Sequence, residues 1–129
     1  MATSDRSICD GILDLESWNI DKKAQYFYMC QNETIEGLEY DQKITRKIMD
    51  RVKAEVPDAI FVSDQSSILG ARDHHKENLW DDYGVIFSGA HKNLGTSGLC
   101  FAIVRDDVME RVIAQRKRAK IPVPKLFDW

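Results

Sequence analysis

Short apolar runs separated by polar segments divide the chain into predicted strands. Each run is rich in β-branched and aromatic residues, which favour a pleated and partly buried backbone. The strands that these runs predict cover residues 26–30, 59–63, 85–88 and 99–104. The last two runs flank a glycine-rich segment, and we expect both of them to form buried strands.

Two other segments carry the spacing of an amphipathic helix. Apolar residues recur at every fourth position from Ile44 to Val56, which predicts a helix over residues 43–56. A second helix is predicted over residues 106–118, and its apolar face comprises Val108, Val112 and Ile113. Because the first helix connects two strands, that unit is a crossover and its strands should run parallel. The pattern therefore predicts an α/β fold.

Length and charge limit the classes of protein to which the chain can belong. At 129 residues it is one domain or part of one. A formal net charge of -3 gives no reason to expect nucleic acid or an anionic membrane as a partner. No apolar run reaches membrane-spanning length, and the first residues lack the basic region and apolar core of a signal peptide. We therefore expect a soluble, cytoplasmic protein.

The cysteines favour the same compartment. Cys9, Cys30 and Cys100 have no CxxC spacing, and two of them lie in apolar, strand-like runs. This pattern predicts reduced, buried thiols and not a disulfide framework.

A histidine and a lysine stand in the glycine-rich segment of residues 88–98. His91 and Lys92 follow closely on a predicted strand, and glycines on both sides of the pair would let the backbone approach a planar ligand. One interpretation is an ordinary surface lysine on a loop. The other is an amine held at the mouth of a sheet, where it can form a Schiff base with a carbonyl.

Two further polar side chains follow earlier strands. Thr34 comes after the first strand and Asp64 after the second. Parallel strands bring their carboxyl ends to one edge of a sheet, and ligands of α/β proteins bind at that edge. A hydroxyl, an acid and the amine of Lys92 at one edge would suit pyridoxal phosphate, in which the acid pairs with the ring nitrogen. Turn and capping chemistry is the alternative for Thr34 and Asp64.

Adjacent histidines invite a metal-binding interpretation of the polar segment that follows Gly70. No spaced set of cysteines, histidines or carboxylates accompanies His74 and His75, and two neighbouring side chains alone make a poor site. We expect a solvated loop without a bound metal, folded back onto the domain by Trp80 and Tyr83.

Three motifs, in this order, resemble those of phosphoserine aminotransferase, a family of class V, fold-type I enzymes. YMCQNETIEG at residues 28–37 resembles the family stretch that contains CxNETxxG, and SDQSS at residues 63–67 resembles its DxSS element. YGVIFSGAHKNLG at residues 83–95 resembles the signature YGVIxAGAQKNxG. The motif-matching region covers about residues 26–106.

The resemblance implies a cofactor, a reaction and a role for each matching residue. The family uses pyridoxal phosphate to transfer an amino group between glutamate and 3-phosphohydroxypyruvate in serine biosynthesis, and it forms homodimers. Lys92 would bond covalently to the cofactor, Asp64 would pair with its pyridinium nitrogen, and Thr34 would bond its phenolic oxygen. His91 stands where the family has a glutamine that contacts the cofactor phosphate, and Ser66 is a further candidate for that phosphate.

The same comparison leaves two alternatives open. A His-Lys pair also occurs in cysteine desulfurases, so another class V enzyme is one alternative. The family's phosphate cup, ring-stacking aromatic residue and substrate-binding arginine have no counterpart in residues 1–129. The second alternative is therefore a truncated, non-catalytic fragment that acts at most as a binding module. We expect a single partial domain, the central part of a large-domain sheet, that is not a competent aminotransferase by itself.

Overall fold

The computed structural model describes residues 14–35, 37–71, 73, 80–120 and 122–125. Within these ranges the chain forms six strands, two α-helices and one short 3₁₀ helix, Trp80–Asp82. The strands and α-helices are, in chain order, β1 Tyr26–Cys30, β2 Asn32–Glu33, β3 Leu38–Glu39, α1 Gln42–Glu55, β4 Ile60–Asp64, β5 Val85–Gly89, β6 Cys100–Val104 and α2 Asp106–Ala119. The four longer strands and both α-helices confirm the predicted elements, with shifts of one residue at some of their ends.

Four strands form one sheet in the order β1–β4–β5–β6. The first three are parallel to one another, and β6 runs antiparallel to β5. Because α1 lies between β1 and β4 in the chain, the predicted crossover unit is confirmed. The short strands β2 and β3 form a separate antiparallel hairpin within a segment that the sequence predicts as a polar turn. The architecture is the predicted α/β class, with a mostly parallel sheet.

The helix α1 begins at a capping residue and ends before a proline. The Asp41 carboxylate accepts a hydrogen bond from the backbone N–H of Ile44 at 2.8 Å, which satisfies a donor of the first turn. Pro57 follows the C-cap residue Val56 and cannot continue the helix. One face of α1 packs on the sheet and forms the hydrophobic core with it. The buried residues of this core are Met29, Ile48, Met49, Val52, Phe61, Tyr83 and Ile86.

The strand β6 is exposed, so the prediction that both strands around the glycine-rich segment are buried was wrong for this one. Phe101 and Ile103 are each 47% exposed. The reason is that β6 pairs with β5 alone, while the core draws on β1, β4 and β5. The apolar face of α2 is open in the same way, since Val108 is the buried residue among those described in that helix.

The thiols are free but less buried than the sequence predicts. Cys30 is half-buried and Cys100 is exposed, and both are free cysteines. Cys100 is exposed because it lies on the open strand β6. Cys9 lies outside the described residues.

The connection between β4 and β5 returns to the core as predicted. Trp80 packs against the core and Tyr83 is buried. Asp82 fixes the end of this connection to α1, because its carboxylate pairs with Arg46 at 2.5 Å and with Lys53 at 3.3 Å. His74 and His75 lie outside the described residues.

The described residues contain neither a membrane-spanning helix nor a cluster of metal-binding side chains. No helix in this part of the chain is both long and apolar enough to cross a membrane. Over the same residues, no group of three or more histidine, cysteine or acidic side chains is arranged to hold a metal ion.

Candidate active site

Asp64 is the last residue of β4, and its carboxylate is held on both oxygens. Oδ1 accepts a hydrogen bond from the Ser66 backbone N–H at 2.9 Å and another from the Ser66 hydroxyl at 2.6 Å. Oδ2 accepts a longer one from the Tyr28 hydroxyl at 3.4 Å. The turn that supplies Ser66 is closed by the Gln65 carbonyl, which accepts from two backbone N–H groups ahead of it. The acid is therefore oriented by the turn that directly follows its own strand.

Lys92 lies in the turn after β5 and reaches the turn after β4. Its Nζ donates a hydrogen bond to the Ser67 hydroxyl at 2.7 Å. The neighbouring Asn93 donates from its side-chain amide to the Ser67 carbonyl, also at 2.7 Å. The backbone of this turn is closed on the carbonyl of Ala90, which accepts from the N–H of Gly95 at 2.8 Å. The two turns are thus joined at one serine, and the amine remains exposed at the edge of the sheet.

Asp64 and Lys92 both influence the pKa of the Cys30 thiol. Cys30 pairs with Asp64 across β1 and β4, at the carboxyl end of both strands. Burial raises the pKa of the Cys30 thiol, the negative charge of Asp64 raises this pKa further, and the positive charge of Lys92 lowers it. The acid and the amine therefore both influence one thiol at the carboxyl end of β1.

His91 lies against the last residue of β5. A Cβ atom added at Gly89 would stand 2.8 Å from Cε1 and 2.9 Å from Nδ1 of the His91 ring. Glycine at this position therefore leaves the space that the imidazole occupies. The backbone N–H of Gly89 also donates to the Ser66 hydroxyl at 3.1 Å, which ties β5 to the turn that holds Asp64.

Thr34 does not take part in the hydrogen bonds that link the other predicted site residues. It is exposed in the turn between β2 and β3. Among the described residues, no hydrogen bond joins Thr34 to Asp64 or Lys92. The structure thus brings Asp64, Ser66, His91 and Lys92 together at one edge of the sheet, and it leaves Thr34 on the neighbouring hairpin.

Comparison with known proteins places the chain in a family. Residues 6–117 match the family model described as aminotransferase class-V. The chain belongs to the class V aminotransferases. It is 36% identical over 134 residues to phosphoserine aminotransferase of Ralstonia pickettii (strain 12J), a match that covers 99% of this chain and 29% of that protein. It is 39% identical over 94 residues to the Drosophila melanogaster enzyme of the same name, covering 73% of this chain and 22% of that protein.

A solved structure shows the same fold. The crystal structure of a phosphoserine aminotransferase from Cytophaga hutchinsonii ATCC 33406 matches with a TM-score of 0.61 and 19% identity. The match covers 79% of this chain and 26% of that chain. The fold predicted from the sequence, part of the sheet of a class V aminotransferase, is therefore confirmed. The chain spans less than a third of the length of these relatives.

Two contacts of the site were not predicted. One is the bond from Lys92 to Ser67, and the other is the bond from Tyr28 to Asp64. The second could have been anticipated from the strand period of two, which puts Tyr28 on the same face as Cys30, the partner of Asp64 in the neighbouring strand. For the first, the sequence offers the serine pair after Asp64 but no indication of which group each hydroxyl contacts.

A buried polar network anchors the hairpin that carries Thr34. The side-chain amide of Gln31 donates to the Thr45 hydroxyl at 2.9 Å and to the backbone carbonyl of Tyr40. Its carbonyl oxygen accepts from the Tyr83 hydroxyl at 2.8 Å. Gln31, Thr45 and Tyr83 are all buried. The start of the hairpin is therefore fixed to α1 and to the segment before β5 in this class V aminotransferase chain.

Proposed function

We propose that the protein with this chain is a phosphoserine aminotransferase, which uses pyridoxal phosphate to transfer an amino group between glutamate and 3-phosphohydroxypyruvate. The observation that supports this most is that one turn at the carboxyl edge of a parallel sheet holds the Asp64 carboxylate through Ser66 and the Lys92 amine through Ser67. The relatives named above carry this activity in their names, at 36% and 39% identity.

The donor groups at the edge fit this cofactor. Asp64 has one oxygen occupied by Ser66 and offers the other to a protonated ring nitrogen. Lys92 offers a primary amine to an aldehyde, and its present partner is a neutral hydroxyl that can be exchanged. The imidazole of His91 and the hydroxyl of Ser66 lie together beside Gly89. His91 is the candidate phosphate donor in this arrangement, because the Ser66 hydroxyl donates its proton to Asp64 and could reach the phosphate only by giving up that bond. When bound, pyridoxal phosphate supplies an electron-withdrawing ring that stabilises negative charge on the substrate carbon.

Each of these residues has a separate task in the proposed reaction. Asp64 holds a proton on the ring nitrogen, because a carboxylate beside a cation stabilises it. Lys92 carries a proton to and from the substrate carbon at its Nζ, which the turn between β5 and β6 keeps at the sheet edge. Thr34 is assigned to the phenolic oxygen through the resemblance of its motif, and the described contacts do not join it to the other groups.

The remaining parts of the site are expected outside this chain. Since the chain covers 29% of the Ralstonia relative and 22% of the Drosophila one, most of such an enzyme lies beyond residues 1–129. We propose that these residues are one partial domain of a homodimeric, cytoplasmic enzyme. The free thiols of Cys30 and Cys100 agree with a reducing compartment.

A cysteine desulfurase is the second candidate, and it rests on the histidine that precedes the lysine. His91 packs on Gly89 in the position where the resemblance expects a glutamine. The two functions differ in substrate, so one pair of assays separates them. The full protein should form phosphoserine from 3-phosphohydroxypyruvate with glutamate as the donor, and with a thiol reductant present it should release no sulfide from cysteine. Sulfide release without transamination would favour the desulfurase.

A pair of lysine variants tests whether the activity depends on the proposed site. Lys92→Arg keeps the positive charge but cannot form an imine under these conditions, so transamination should be lost. Lys125→Arg makes the same change at an exposed lysine outside the site and should leave the rate unchanged. Full activity in Lys92→Arg would contradict the proposal.

A further inference from the structure

The two oxygens of the Asp64 carboxylate are held unequally. Oδ1 takes both hydrogen bonds from Ser66, at 2.9 Å and 2.6 Å. These contacts fix the position of one oxygen. The χ2 torsion of an aspartate has a broad distribution, so the carboxylate plane can still rotate while that oxygen stays bonded. The contact on Oδ2 is the Tyr28 hydroxyl at 3.4 Å. A donor on the second oxygen supplies the missing constraint.

Tyr28 is itself held in place by a ring on another strand. Its ring stacks with that of Phe87, with centroids 6.3 Å apart and planes 21° from parallel. Asp64 is on β4, which lies between the strands β1 and β5 that carry these two rings. It pairs with Phe87 in the register of β4 and β5. The Tyr28 side chain is 52% exposed, and the Phe87 ring restrains it on one side. The stacked pair therefore directs a hydroxyl at the carboxyl edge of the sheet.

We propose that Tyr28 is a positioning residue, whose hydroxyl acts with Ser66 to fix the plane of the Asp64 carboxylate so that Oδ2 faces the ring nitrogen of pyridoxal phosphate. This inference rests on the proposed function. A phenol can play this part because its O–H donates one hydrogen bond to Oδ2. A second lone pair of Oδ2 then remains for the ring nitrogen of the cofactor. The Tyr28 hydroxyl keeps its proton at neutral pH because the ordinary pKa of tyrosine is about 10. Partial burial and the charge of Asp64 raise this pKa further.

The test compares two tyrosines of the same strand. Tyr28→Phe keeps the ring and its stacking and removes the hydroxyl. Tyr26→Phe makes the same change two residues earlier on the same face, where the side chain is 66% exposed. In the full protein freed of cofactor, a binding titration with pyridoxal phosphate should give a Kd about three- to tenfold higher for Tyr28→Phe and unchanged for Tyr26→Phe. The melting temperatures of both variants without cofactor should match that of the unmodified protein.

A second comparison separates positioning from packing. If Tyr28 acts through the carboxylate, its effect must vanish when the carboxylate is absent. Asp64→Ala and Asp64→Ala with Tyr28→Phe should therefore have the same Kd for pyridoxal phosphate. An equal loss of affinity on Tyr28→Phe in both backgrounds would overturn the inference, because the hydroxyl would then act without Asp64.

The remaining outcomes distinguish this inference from the function on which it rests. If the unmodified protein binds pyridoxal phosphate at Lys92 and Tyr28→Phe binds it equally well, the role of Tyr28 is wrong and the proposed function stands. If the unmodified protein does not bind pyridoxal phosphate, both are wrong.

Discussion

The Nζ of Lys92 lies 2.7 Å from the hydroxyl of Ser67, and this contact joins the turn after β5 to the turn after β4. The side chain of Asn93 bonds the carbonyl of the same serine, so the lysine turn is held to its neighbour through two adjacent residues. The opposite side of that neighbouring turn holds Asp64 through Ser66. One short turn therefore positions both the acid and the amine of the proposed site.

We predict that Ser67→Ala makes the amine of Lys92 more reactive. The variant removes the hydroxyl that accepts from Nζ but keeps the backbone carbonyl that anchors Asn93, so the turn should keep its shape. Without cofactor, the rate at which an acylating reagent modifies Lys92 should rise about two- to fivefold, since one hydrogen bond is lost. Mass spectrometry of the Lys92 peptide measures this rate.

The matched control for that experiment is Ser97→Ala. Ser97 is an exposed serine in the same segment between β5 and β6. Its removal should leave the modification rate of Lys92 unchanged. An equal rate in Ser67→Ala and the unmodified protein would show that the contact does not restrain the amine.

We predict that Gly89→Ala displaces His91 at little cost in stability. The new methyl group would meet the ring at 2.8 Å and 2.9 Å, and an exposed imidazole can turn away from it. The free energy of unfolding should change by less than about 1 kcal/mol. The Kd for pyridoxal phosphate should rise about tenfold, because a hydrogen bond to a charged phosphate is lost.

Gly95→Ala is the control for this prediction, because a Cβ atom at that position would have nothing within 4 Å. Its Kd for pyridoxal phosphate should equal that of the unmodified protein. If Gly89→Ala also left this Kd unchanged, His91 would have no part in holding the cofactor phosphate.

The regular elements were predictable because each one satisfies a local periodic rule. The four-residue spacing of α1 and the apolar composition of β1, β4 and β5 result from one face packing on the core, so sequence and structure carry the same signal. Asp64 and Lys92 could be placed at one edge because a crossover between parallel strands leaves one choice of edge.

Other features could not be predicted from the local spacing of apolar and polar residues. The hairpin of β2 and β3 has strands of two residues, which are too short to show a period of two. The open side of β6 is apolar in sequence, and composition does not tell whether a neighbour covers it. The contact between Lys92 and Ser67 depends on side-chain rotamers in two turns that are 25 residues apart.

We predict that removing the charge of Asp64 lowers the pKa of the Tyr28 hydroxyl. Burial raises this pKa most, and the negative charge of Asp64 raises it further because it disfavours the phenolate. Asp64→Asn removes the charge, so the pKa should fall but stay above the ordinary value, since burial persists. A pH titration of the carbon-13 signal of the Tyr28 ring carbon that bears the hydroxyl measures the change.

Asp50→Asn is the control for this titration, because it neutralises an exposed acid on α1 that does not act on Tyr28. The Tyr28 titration curve should be the same in Asp50→Asn and the unmodified protein. A pKa that stays constant or rises in Asp64→Asn would show that the two side chains do not interact in solution.

The central claim is that Lys92 binds pyridoxal phosphate covalently, and one measurement tests it most directly. The full protein is incubated with pyridoxal phosphate, reduced with borohydride and digested, and each lysine-containing peptide is examined by mass spectrometry. We predict a stoichiometric pyridoxyl adduct on Lys92 and none in the Lys92→Arg variant. An adduct on Lys76 or Lys125 with Lys92 unmodified would contradict the claim.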